Sequence, residues 1–195
     1  PMKKQTISTK KIVLTALLAA LTVAGSYLRI TIPLDIGGTS SFHLGNILCA
    51  LSGILLGPWY GGLAAGLGSA IYDIFNPLYI SECWITFLMK GAYGLAAGLV
   101  AWQIRKPWNT KVAYSYVKAL AASIAGAAIY AALYLSKSYF YSGLFLSGLT
   151  PQAALLSVAG KLPATVFNMA VAVIFAPLLA MAISRALEAA HLSLE

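Results

Sequence analysis

The chain has 195 residues, 60% of them hydrophobic and only 9% charged, with a net charge of +8. A soluble domain carries about 25% charged residues, so lipid must solvate much of this surface. At ~20 apolar residues per crossing, one domain spanning residues 1–195 holds about six transmembrane helices and no soluble catalytic or nucleotide-binding module. The basic residues sit at helix ends rather than on one soluble face, which excludes nucleic acid as a partner. Cys49 and Cys83 lie in apolar stretches without metal-ligand spacing and read as small buried hydrophobes; no metal or cofactor is expected. Met2 reads as the native start, and the first apolar run as a retained helix rather than a signal peptide.

In chain order, the first span covers residues 11–29, after a basic stretch of residues 1–10. A loop at 31–42 follows, broken by Pro33, Gly37 and Gly38. The second span, 43–56, ends at the Gly57-Pro58 turn, and the third runs over 59–75 to Asn76-Pro77. A short loop at 76–81 leads to a fourth span at 82–103. Residues 105–111 are the polar connection to a fifth span at 112–135 and a loop at 136–150 rich in aromatics and glycine. Residues 151–185 are too long for one straight crossing, so Lys161 and Pro163 are expected to divide them into a short helix and a final span at 163–184.

Lys and Arg set the orientation. With the N-terminus inside, Lys3, Lys4, Lys10, Lys11, Arg105, Lys106, Lys111 and Arg185 fall on the cytoplasmic face, and only Arg29 and Lys137 fall outside. Six spans place both termini in the cytoplasm. The three outer loops are longer and mix Asp, Ser, Tyr, Phe and Gly, so they can roof a pocket.

Small residues recur where helices must approach closely in lipid. Gly53, Gly57, Gly61, Gly62 and Gly66 suit packing within the bundle. Ala16, Ala20 and Ala24 repeat every four residues on the first helix; spacing alone fits internal packing or docking to another membrane subunit equally.

Each ionisable group inside a membrane costs ~2.5–3.5 kcal/mol on insertion scales, so each needs a reason. Asp73 falls near the outer end of the third helix and Glu82 at the outer start of the fourth. Glu82, Thr86 and Lys90 share one face at i, i+4 and i+8, with Tyr93 adjacent, placing Lys90 ~12 Å deeper than Glu82. Lys161 and Asn168 share another face, and Tyr130 and Tyr134 mark the fifth helix. His43 and Asn46 start the second helix, while Asp35, Tyr79 and Trp84 complete the candidate site from the loops and the start of the fourth helix. The groups suggest an outward-facing pocket with polar anchors; a structural bridge from Lys90 to Glu82 or Asp73 is the alternative. Zincin, nucleophile-elbow and Walker patterns are missing from the sequence, so no enzyme activity is expected and the chain cannot use ATP itself.

The segments TKKIVLTALLAALTVA (9–24), FHLGN (42–46), LLGPWYGGLAAGLGSAIYD (55–73) and ITFLMKGAYGLAAG (85–98) resemble those of the substrate-binding S components of energy-coupling factor (ECF) vitamin transporters, across nearly the whole chain. The resemblance implies a six-helix all-α membrane receptor that binds a water-soluble vitamin or precursor beneath its outer loops. It also implies a membrane coupling protein and two cytoplasmic ATPases as partners, with Ala16 and Ala20 matching the alanine motif that docks the coupling protein. HLGN and the segment from Asp73 to Tyr79 look closest to the hydroxymethylpyrimidine, pyridoxine and riboflavin branch. A weakly charged ring would suit Tyr, Trp and Asn anchors, whereas an anionic vitamin would use Lys90 or Lys161. A self-sufficient secondary transporter would show internal repeats, and residues 1–100 and 101–195 show none that is convincing.

Overall fold

The computed structural model describes residues 9–35, 39–104 and 116–190. Lys3, Lys4, Gly37, Gly38, Arg105, Lys106, Lys111 and the polar connection at 105–111 lie outside the described residues. In lipid a backbone must satisfy its own hydrogen bonds, and this apolar chain does so mainly as helices. Five of them, among the described residues, are long and apolar enough to cross a membrane.

Helix α1 spans Thr9–Tyr27 and buries Thr15, Leu18, Ala19, Thr22, Gly25 and Ser26. The buried hydroxyls of Thr22 and Ser26 donate to the carbonyls of Leu18 and Thr22, both at 2.8 Å, so they enter the interior already paired. Ala16, Ala20 and Ala24 lie on the opposite, exposed face.

The expected loop at 31–42 is instead a β-hairpin. Strand β1 (Arg29–Pro33) pairs antiparallel with β2 (Thr39–His43), Arg29 opposite His43. Ile30, Thr31 and Ile32 favour extended backbone, and Pro33 ends the strand, where its missing N–H costs least. The fold is therefore helical with one two-stranded ribbon rather than strictly all-α.

Helix α2 covers Gly45–Ile74 but is broken at Gly57, whose φ of 80° and ψ of −175° only glycine adopts easily. Cys49 Sγ lies 3.7 Å from Ser69 Oγ, although twenty residues of straight helix would separate them by ~30 Å. The chain thus reverses at Gly57-Pro58 into two antiparallel limbs, as the turn signal predicted. Helix α3 (Cys83–Ile104) packs along both limbs through small residues: Gly94 against Gly61 and Ala65, Gly98 against Gly57-Pro58, and Gly53 against Gly94 and Gly98.

Helix α4 (Tyr116–Ser136) lays Gly126 on the Tyr93 ring. Where a loop at 136–150 was expected, α4 runs on into a wide π-helical segment, Lys137–Leu146. Helix α5, Pro151–Ala189, is one 39-residue helix that contains Pro163 and Pro177, so the expected division at Lys161 and Pro163 does not occur. Prolines are tolerated in membrane helices; in the turn that follows Pro163, the Thr165 hydroxyl donates to the Lys161 carbonyl at 2.8 Å. At 1.5 Å per residue α5 is ~58 Å long and outreaches the ~30 Å hydrocarbon core.

Candidate functional site

Three connections meet at one end of the bundle: the β-hairpin, the 3₁₀ turn Ile80–Glu82 before α3, and the π-helical segment after α4. They are stitched together by side chains. Thr39 Oγ1 and Tyr79 Oη hydrogen-bond at 3.1 Å, joining the hairpin to the α2–α3 connection. Lys137 pairs with Glu82, and Ser142 Oγ donates to the other Glu82 oxygen at 3.2 Å, joining that connection to the π-helical segment. Asn168 on α5 ties down β2, its amide donating to the Ser41 carbonyl at 2.7 Å and its oxygen accepting from the His43 backbone N–H at 3.0 Å. These connections cover a chamber of about 430 Å³, within the ~300–1,000 Å³ of small-molecule sites.

The chamber is lined by Tyr72, Tyr79, Tyr130 and Tyr134, by hydroxyls including those of Ser26, Ser40, Ser69, Thr86 and Thr165, and by the charged groups Arg29, Asp73, Glu82, Lys90, Lys137 and Lys161. Lys90, only 5% exposed, donates to Asn46 Oδ1, and its ammonium lies 3.9 Å from the centre of the Tyr130 ring. Tyr130 in turn stacks on Tyr93 at 5.5 Å and on Tyr134 at 5.8 Å. A buried ammonium is held here by an amide and an aromatic face. The carboxylate bridge considered for Lys90 is not made: Glu82 is taken by Lys137, the one ion pair among the described residues.

Arg29 stacks between two rings, its guanidinium 4.4 Å from Tyr72 and 5.1 Å from Tyr79, and donates through Nε to the Ser26 carbonyl at 3.1 Å. Its Nη1 is buried with no partner. An unpaired donor this costly in a chamber wall is a natural place for a ligand acceptor.

Of the residues singled out from sequence, His43, Asn46, Asp73, Tyr79, Glu82, Thr86, Lys90, Tyr130, Tyr134, Lys161 and Asn168 all line the chamber. Asp35, Trp84 and Tyr93 do not. Asp35 is exposed; Trp84 is 53% exposed and meets Tyr141 edge-on; Tyr93 is fully buried behind Tyr130. Sequence reasoning missed Arg29, Tyr72, Lys137 and the serines of β2 as wall residues. The signal for Arg29 was present, since an outer-face arginine next to an aromatic-rich loop has reason to stack.

His43 Nδ1 is buried and unpartnered. Burial, reinforced by the positive charges of Lys90 and Arg29, holds the imidazole well below its ordinary pKa of 6.5. The folded protein therefore binds this proton less readily than the unfolded chain. Its stabilising contribution is complete above pH 6.5 and is lost as pH falls below that value. Thermal unfolding of wild type in detergent is expected to drop over that acidic window, and His43→Asn is expected to flatten the drop; an unchanged pH profile in the variant would remove His43 as its source.

A bundle of membrane-crossing helices with three stitched connections over a ligand-sized chamber defines a multi-pass membrane protein. The sequence model of a family described as "ECF-type riboflavin transporter, S component" matches residues 6–185. The chain belongs to this family and is an S component of an ECF transporter; the family is one of substrate-binding transporter components and not an enzyme family. A curated Pyrococcus woesei protein described as "Uncharacterized protein in gap 3'region" is 31% identical over 124 residues, covering 64% of this chain and 74% of that protein.

Proposed function

We propose that this S component is the high-affinity receptor for a water-soluble vitamin or precursor built on an aromatic ring, of the pyridoxine or hydroxymethylpyrimidine kind. The observation that carries this reading is the roofed chamber walled by four tyrosines, with Lys90 fixed at the Tyr130 face. Flat rings stack on such walls, and the surrounding hydroxyls and Asn46 serve ring substituents.

In this reading the one domain crosses the membrane six times, the two limbs of α2 each making a crossing, with both termini cytoplasmic and the roof outside. Reversal at Gly57 and the positions of Lys10, Lys11 and Arg185 support it. The exposed Ala16, Ala20 and Ala24 form the docking face for a coupling protein in the cytoplasmic membrane, and two ATPases bound to that protein supply the energy.

A thermal-shift screen of the purified protein against water-soluble vitamins tests the substrate. Ring-bearing vitamins are expected to stabilise it, and Lys90→Ala is expected to weaken the best of them about tenfold or more, ~1.4 kcal/mol. Stabilisation only by non-aromatic vitamins, or unchanged affinity in Lys90→Ala, would overturn this assignment.

A further inference from the structure

Lys161 on α5 is mostly buried as a residue and lines the chamber; its ammonium is not among the enclosed atoms and makes no hydrogen bond or ion pair among the described residues. The charged groups that act on it are Lys137, which repels it, and Glu82. Both Glu82 oxygens are already engaged, one by Lys137 and the other by Ser142. An ammonium in a mostly desolvated wall without a counter-charge of its own is unfavourable, and this one opens on the chamber, where a ligand group can compensate it.

The rest of the wall points the same way. Its ionised groups are four cations, Arg29, Lys90, Lys137 and Lys161, against two carboxylates, Asp73 and Glu82, an excess of two positive charges (four minus two). Arg29 adds a buried donor with no acceptor. The chamber has more cationic than anionic groups and an unsatisfied Arg29 donor, and one ligand feature meets both.

We infer that the ligand carries an anionic group, a carboxylate or a phosphate, whose oxygens seat against the Lys161 ammonium. This rests on the reading of the chamber as the vitamin site, and it narrows the ring-bearing ligands to those that carry an acid or phosphate group. The Lys161 charge then serves recognition: it discriminates a ring bearing an anion from the same ring without it.

Two measurements on the full-length protein in detergent test the inference. In the first, affinities are compared within ring-matched pairs: pyridoxine with its 5′-phosphate and with 4-pyridoxic acid, and riboflavin with its 5′-phosphate. In at least one pair the anionic member is expected to bind about tenfold tighter or more. Lys161→Met should erase that preference, costing the anionic member about tenfold or more beyond any loss for the neutral one. The phosphate and carboxylate comparisons show which anion fits. Equal or tighter binding of every neutral member, or an equal loss for both members in Lys161→Met, would overturn the inference.

The second measurement needs no ligand. Because the ammonium is unpaired, Lys161→Met is expected to melt at the same or a higher temperature than wild type. A clear fall would show that Lys161 holds a structural partner and would overturn the inference. If a non-aromatic acid such as pantothenate binds instead, and does so through Lys161, the anionic site stands and the ring assignment fails.

Discussion

Gly53→Leu is expected to yield no folded protein after detergent extraction. A Cβ at position 53 would fall on the Gly94 carbonyl oxygen and lie 2.9 Å from both the Ala97 Cβ and the Gly98 nitrogen. Two of these three obstacles are backbone of α3, which cannot rotate aside. Overpacking costs about 1–3 kcal/mol where side chains can yield, and a leucine wedged between α2 and α3 exceeds that. The whole protein has on the order of 5–15 kcal/mol to lose. Gly91→Ala is the matched control, since its Cβ would meet only the Gly62 carbonyl, at an ordinary 3.6 Å. Size-exclusion profiles and melting curves should separate the two variants; a monodisperse, wild-type-like Gly53→Leu would show that the α2–α3 seam is not packed this closely.

The second large effect concerns α1. Replacing Ala16 and Ala20 together by tryptophan is expected to abolish vitamin uptake in cells while leaving ligand affinity and melting temperature of the purified protein unchanged. Both alanines face away from the bundle, and the inward face of the helix is made by Leu18, Ala19, Thr22, Gly25 and Ser26 instead. Association of membrane helices relies on close backbone approach through small residues, so two indoles on this stripe hold a partner helix off. Loss of binding or of thermal stability in the double variant would mean that the stripe supports the bundle itself.

Composition and the length of the apolar runs made the membrane class legible, because 9% charge cannot coat a soluble fold. The Gly57-Pro58 reversal was equally readable, since a glycine at positive φ beside a proline is local chemistry. The hairpin at 29–43 was missed although its signal existed: a β-branched run and a second short run separated by Gly-Gly. α5 was wrongly divided because its length exceeds one straight crossing and Lys161 and Pro163 offered a break, whereas a membrane helix accommodates a proline and can outreach the hydrocarbon core.

Four of the six charged wall residues, Asp73, Glu82, Lys90 and Lys161, were recognisable because ionisable groups in apolar helices stand out. Their partners were not. Glu82 bonds Lys137 across 55 positions and Asn168 bonds Ser41 across 127, pairings that exist only once the helices have packed. Asn168 shows the consequence: it lines the chamber as expected, but its amide is spent on the roof strand, so it positions the lid more than it meets a ligand.

In the proposed division of work, this chain recognises the vitamin and a separate ATPase module moves it. Uptake of the vitamin identified in the binding screen, measured in cells expressing this chain with and without the ECF coupling protein and ATPases, tests that division. Accumulation is expected only when the module is present. Undiminished accumulation without it would contradict that division and make the chain a transporter in its own right.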